Sequence, residues 1–368
     1  MSTVQFPELG FYALPGHTLD PKPIFQQIRT ADEIGLGSTW IAERLNTKEI
    51  GVLSGVAAAL SPRMAVVAGL MGNLPMRNPL VVAGYASTMA MLSDNRFALG
   101  LGKGVAQLAD MTCTPRVTMK IIEDTVDMLR RLWRGESVSY EGPAGKLRNA
   151  TLSMALDIPP PIIIGLLGWK TAYWAGRVAD GVVLNSMTST RAVREYVRVI
   201  RAGARDSGRD PASVKVWTIL MTACEVPEET MLRTIIRRMN TYILWPAAFD
   251  WTCEVNGWDK AVAAGIRQTL AEIDGPMKSG GTLGDEFTTR DRDKLRRMRD
   301  AYPSHWIHDG SAVGTAAECA PLIRERFEAG ADGILFHGTS PDDLPPLLGA
   351  WRRIRPAQFD QRSVVPGR

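Results

Sequence analysis

Short runs of apolar, often β-branched residues alternate along the chain with longer stretches in which apolar positions recur every three to four residues. This is the pattern of strands joined by helices. Eight such runs fall at residues 10–16, 38–43, 64–71, 96–102, 161–167, 181–187, 214–223 and 332–338. Several are apolar at consecutive positions, as a strand must be when a helix covers one side and packed side chains fill the other. Eight parallel strands predict an α/β fold, a closed (β/α)8 TIM barrel, with an open doubly wound sheet as the alternative.

Helix punctuation supports the same repeat. One helical stretch opens at the prolines after Asp20 and stops at Gly35; another opens near Thr315 and stops at Gly330. Each ends in glycine and turns within a few residues into an apolar run, the second half of a βα unit. Two connections, residues 104–160 after the fourth run and 224–331 after the seventh, are too long for single helices and predict insertions. The first has hairpin character around Gly142 and Gly145. The second has helical stretches at 228–245 and 257–273, then a glycine-rich charged segment, 275–290, expected to act as a lid. All of residues 1–368 are expected to form one barrel domain with these insertions.

Composition narrows the class. Of 368 residues, 45% are hydrophobic and 22% charged, enough apolar material for a large core. The formal net charge is +4, with acidic and basic residues intermixed, so nucleic acid is not the expected partner. The first ten residues lack the layout of a secretion signal, and Arg77 interrupts the longest apolar stretch, between Met64 and Leu92. A cytoplasmic protein without membrane attachment is expected. Cys113, Cys224, Cys253 and Cys319 are widely spaced and are expected to be reduced core thiols.

In a barrel of this kind the chemistry collects where the strands end at the C-terminal face. Those positions hold His17, Glu43, Arg44, residues 71–73, residues 103–105, residues 167–169, residues 185–188 and His337. Gly100, Gly102 and Gly104 follow the fourth run, where glycine lets a backbone approach a planar ligand closely, or simply makes a tight turn. Gly165 and Gly168 lead straight into a helix whose free N–H groups suit a phosphate. Trp169 would otherwise be a packing residue there. Lys103 is a candidate contact for a cofactor phosphate or acidic tail. His305 and His308 have no evident third ligand, and a metal is not expected. Trp245, Trp251 and Trp258 in the second insertion line a cavity or pack a core.

The order of these segments resembles the luciferase-like monooxygenase superfamily, in particular its branch dependent on the deazaflavin coenzyme F420. The resemblance covers most of the chain and is carried by residues 31–46, 74–104, 161–185 and 313–338, most tellingly 74–104. It implies an oxidoreductase that moves hydride between the deazaflavin and a small organic substrate, working as a homodimer. The resemblance also implies a non-proline cis peptide behind the cofactor ring within Gly69, Leu70, Met71 and Gly72, with Leu70–Met71 the first candidate bond. Asn73 would lie beside the ring. Gly102, Lys103, Gly104 and Val105 would form a second wall of the cleft, and Leu167, Gly168 and Trp169 a phosphate loop.

Glu43 and Arg44 match the pair that faces the reacting centre. Glu43 would give or take a proton and Arg44 hold an anionic or carbonyl group, unless the two merely pair with each other at the rim. His17 is a candidate general acid. Family members that oxidise a sugar phosphate carry histidine where this chain has Arg44 and glutamate where it has Val105, which argues against that activity. Luciferases favour histidine at the strand-two position, which argues against light emission. The alternatives are a flavin mononucleotide (FMN) monooxygenase served by a separate reductase, a cofactor-binding barrel without catalysis, and a cofactor-free hydrolase or aldolase built on Lys103 or Lys170.

Overall fold

The computed structural model describes residues 4–15, 19–44, 48–104, 106–275 and 289–368. His17, Val105 and most of the expected lid lie outside the described residues. Among the described residues there are eleven strands: β1 Phe6–Tyr12, β2 Leu36–Ile41, β3 Ala65–Met71, β4 Phe97–Leu101, β5 Val138–Gly142, β6 Gly145–Ala150, β7 Ile162–Leu166, β8 Gly181–Leu184, β9 Lys215–Cys224, β10 Ser311–Gly314 and β11 Gly333–His337.

Eight of them form a parallel ring in the order β1, β2, β3, β4, β7, β8, β9, β11, and β11 pairs back onto β1. The β8–β9 pairing, Gly181 opposite Lys215, closes the ring and rules out the open sheet. This is a TIM barrel, and its strands fall on the eight apolar runs. The two insertions leave the ring after β4 and β9. The first carries the antiparallel hairpin β5–β6, turning between Gly142 and Gly145 as their spacing predicts. The second adds β10, which pairs with the far end of β9 and left no apolar run long enough to detect.

The first strand starts at Phe6, earlier than the apolar run, because Glu8 breaks the pattern. Glu8 is fully buried and accepts from Trp351 Nε1 at 2.9 Å and from Arg355 Nε at 2.7 Å, so a paired charge stands where an apolar residue was sought.

Alternate residues of the ring divide into two layers. Phe11, Ile41, Val66, Leu99, Ile164, Val216 and Ile334 pack outward against the helices. Tyr12, Trp40, Val67, Ala98, Ile163, Val183, Trp217 and Leu335 fill the barrel interior. Trp40 and Trp217 meet there with ring centroids 5.3 Å apart. Each indole occupies the space of a missing side chain, since a Cβ on Gly69 would overlap Trp40 and one on Gly333 would overlap Trp217.

The second insertion has a core of its own, built on Leu232, Ile236, Met239, Phe249, Trp258 and Trp306, with the last two indoles stacked at 4.5 Å. Trp258 is therefore a packing residue. Its helices divide further than the periodicity showed, at Trp245–Pro246, where proline opens a separate helix Pro246–Asn256. Three cysteines are buried, but Cys113 is exposed, contrary to a core thiol, because it lies in the turn after the short helix Ala106–Met111. No helix among the described residues is long and apolar enough to cross a membrane.

Candidate active site

Glu43 lies just beyond the end of β2 and is 6% exposed. Its backbone N–H donates to Leu70 O at 3.2 Å, tying the end of β2 to that of β3. Its partner is Arg77, whose Nη2 stands 2.5 Å from Glu43 Oε1 and 3.2 Å from Glu49 Oε1. Burial pushes the Glu43 carboxyl above its ordinary 4.5, while the Arg77 guanidinium and the Gly72 backbone amide hold it back.

The pairing of Glu43 with Arg44 does not form. Neighbours on an extended chain point to opposite sides, and Arg44 Nη1 instead donates to the Glu43 carbonyl at 2.8 Å. Arg77, which broke the apolar stretch in the sequence, supplies the cation from across the β3 end. Arg44 also forms an antiparallel bridge with Lys48, whose ammonium donates to the Leu14 carbonyl.

The cis peptide lies between Gly69 and Leu70, one residue before the bond expected. Leu70 turns its side chain inward, where Cβ atoms on Gly100 and Gly165 would overlap it and one on Gly102 would come within 3.1 Å. These glycines therefore make room for Leu70 as well as for any ligand above it. Met71 is buried in the outer layer, and Asn73 is buried in the left-handed conformation with φ 49°. Gly72 touches Gly104, where a Cβ would stand 2.6 Å from the Gly104 Cα, so the two walls of the expected cleft meet at a glycine pair. Lys103 is exposed beside them.

At the end of β7 the helix Trp169–Val178 starts at Gly168 with φ 83° and no side chain capping it. The first N–H groups of such a helix are donors seeking an anion, so this donor set fits a phosphate. One residue that the sequence did not single out, Tyr196, and one that it did, Trp251, support the loop. Tyr196 accepts from Gly168 N at 3.2 Å and lies 4.5 Å from the Trp169 ring, and Trp251 leans over Gly168 from the second insertion.

His337 ends β11, 2% exposed, with its ring 4.6 Å from that of Tyr12. Neither ring nitrogen has a hydrogen-bond partner among the described residues. Burial, then Arg238, Arg44 and Lys48, push its pKa well below 6.5, so the ring is neutral. Beside it opens a cavity of about 160 Å³ lined by Pro15, Arg233, Thr234, Arg237, Arg238, His337 and Gly338. The arginines belong to the second insertion, where their helical spacing held no motif to mark them.

A closed parallel barrel with a buried carboxylate, a cluster of glycines and an uncapped helix start at one mouth has the site layout of a TIM-barrel enzyme. The chain belongs to the luciferase-like monooxygenase family, whose sequence model matches residues 8–333. It is 25% identical over 310 residues to the 5,10-methylenetetrahydromethanopterin reductase of Methanolobus tindarius, covering 83% of this chain and 87% of that protein. It is 26% identical over 189 residues to the F420-dependent glucose-6-phosphate dehydrogenase of Amycolatopsis mediterranei, covering 48% of this chain and 56% of that one. Among solved structures, the coenzyme F420-dependent tetrahydromethanopterin reductase from Methanopyrus kandleri superposes with a TM-score of 0.74 at 19% identity, over 95% of this chain and 100% of that one.

Proposed function

We propose that this protein is an F420-dependent oxidoreductase acting on a small organic substrate at the C-terminal mouth of its barrel. The observation that carries the chemistry is the buried Glu43 carboxylate, balanced between desolvation and Arg77 at the end of β2. The names of two of these proteins support the coenzyme, since the Amycolatopsis mediterranei dehydrogenase and the Methanopyrus kandleri reductase are both described as F420-dependent. A bound deazaflavin supplies a ring carbon that takes or gives hydride.

The chain's own residues do the rest. The start of the helix Trp169–Val178, with Leu167, Gly168 and Trp169, binds the coenzyme phosphate. Gly72, Asn73, Gly102 and Gly104 cluster at the ends of β3 and β4, where the coenzyme ring would pack, and Leu70 lies against Gly102 from the barrel interior. Glu43 holds the proton that must accompany hydride at a carbonyl or hydroxyl oxygen, with Arg77 setting its affinity and Arg44 beside it.

The working form is a cytoplasmic homodimer. The exposed apolar side chains Val52, Val81, Met91 and Leu92 on the neighbouring helices Ile50–Leu60 and Pro79–Leu92 suit a subunit contact, to be checked by sedimentation. The test of the function is reduction or oxidation of the deazaflavin, followed by its visible absorbance, across a panel of alcohols, aldehydes and imines. Turnover with the deazaflavin and none with FMN agrees with the proposal. Turnover with FMN and oxygen alone contradicts it.

A further inference from the structure

The cavity beside His337 lies on the far side of the barrel mouth from the glycine cleft and the phosphate loop. In the ring order β1, β2, β3, β4, β7, β8, β9, β11, the strand carrying His337 stands four places from β4, and β1 stands four places from β7. Glu43 and Arg44, at the end of β2, come between the two sides. A ligand reaching from the cleft across Glu43 would place its distal group in this cavity.

The lining is polar and cationic. Arg233 and Arg237 are four residues apart, as are Thr234 and Arg238, so each pair shares a helix face. They start from a π-helical turn, Leu232–Ile236, a distortion that recurs at functional sites. Gly338, with φ 100°, lets that turn approach the end of β11, since a Cβ there would stand 3.3 Å from Thr234 Cβ. At about 160 Å³ the cavity is an order of magnitude above the ~10–15 Å³ that a single water requires. His337 lines it, nearly wholly buried and with both ring nitrogens unpartnered among the described residues. A buried imidazole in that state calls for a polar ligand atom.

We propose that this cavity is the subsite for an anionic group of the substrate, a phosphate or carboxylate surrounded by Arg233, Arg237 and Arg238, with the His337 imidazole donating to one of its oxygens. The proposal rests on the oxidoreductase reading only in assigning the anion to a substrate. Guanidinium groups suit both anions because their paired N–H donors match two oxygens at once. The substrate class is thus a small alcohol, carbonyl or imine compound bearing one such group.

Calorimetric titration of the full chain with inorganic phosphate and, separately, acetate tests this, with chloride balancing ionic strength. The expected result is saturable binding of one or both anions, weakened tenfold or more in Arg233→Gln and in Arg238→Gln and unchanged in the surface control Arg198→Gln. Deazaflavin affinity stays the same with and without the anion. If either variant fails to fold, the His337 imidazole nitrogen resonances of the unmodified protein still report, and they shift on anion binding. Absence of saturable binding overturns the proposal, and so does competition between anion and deazaflavin, which would give the arginines to the coenzyme's acidic groups. Failure of deazaflavin to bind would contradict the oxidoreductase reading while leaving the anion titration intact as a test of the subsite.

Discussion

Glu43 is held between two opposing effects, a desolvation that favours its neutral form and the Arg77 guanidinium that favours its charge. Glu43→Gln removes the proton carrier and is expected to lower kcat by about 10²–10⁴-fold, the usual range for losing a general acid or base. It should not lower stability at neutral pH. A carboxyl whose pKa is raised by folding stabilises the protein below its unfolded value, and that contribution is lost as pH rises through the folded value. The melting temperature of Glu43→Gln relative to the parent should therefore rise as pH is raised above 4.5, as thermal melts across pH will show. Arg77→Met removes the opposing charge, so the Glu43 limb of the pH–rate profile should move to higher pH. His337 behaves in the opposite sense. Its pKa is depressed by folding, so the stability it contributes is present above 6.5 and lost as pH falls below it, and His337→Asn should flatten the acid side of the stability profile.

At this scale the sequence placed Glu43 and Arg44 at the mouth but could not show their partners. Arg77 lies 34 positions from Glu43 in the chain, and only the closure of β2 against β3 makes them neighbours. Tyr196 and the insertion arginines escaped notice for the same reason, since each reaches the site from an element with no motif of its own.

The helix Trp169–Val178 is aimed by its contact with the helix Thr190–Asp206. The two approach backbone to backbone, because a Cβ on Gly176 would overlap the Ile200 carbonyl and one on Gly203 would overlap the Tyr173 carbonyl. Tyr196 on the second helix then reaches Gly168 at the start of the first. Gly203→Ala must push the helices apart, with an overpacking cost of about 1–3 kcal/mol. It should also weaken coenzyme binding without touching the coenzyme, a combination that denaturation and binding titration together will detect. The barrel strands were legible as elements because burial on both faces makes them continuous apolar runs. The second insertion was not, since helices that pack on one another show only a partial stripe, and β10 is four residues long.

For the molecule as a whole, the alternation of strand and helix predicted the barrel, with an open sheet as its alternative, and ring closure decides for the barrel. What the alternation could not supply was the arrangement of the strand ends into a glycine cluster around β3, β4 and β7 and a cationic cavity at β11, which depends on ring closure. The claim on which the rest depends is that the cleft holds a deazaflavin. Trp169 lies at the proposed phosphate loop and Trp251 over Gly168, so tryptophan fluorescence should report occupancy directly. Titration of the purified protein with coenzyme F420 should give saturable quenching that FMN does not reproduce, and the quenching should weaken in Gly168→Ala, where the backbone has φ 83°. Quenching by FMN in preference to F420, or by neither, would contradict the account.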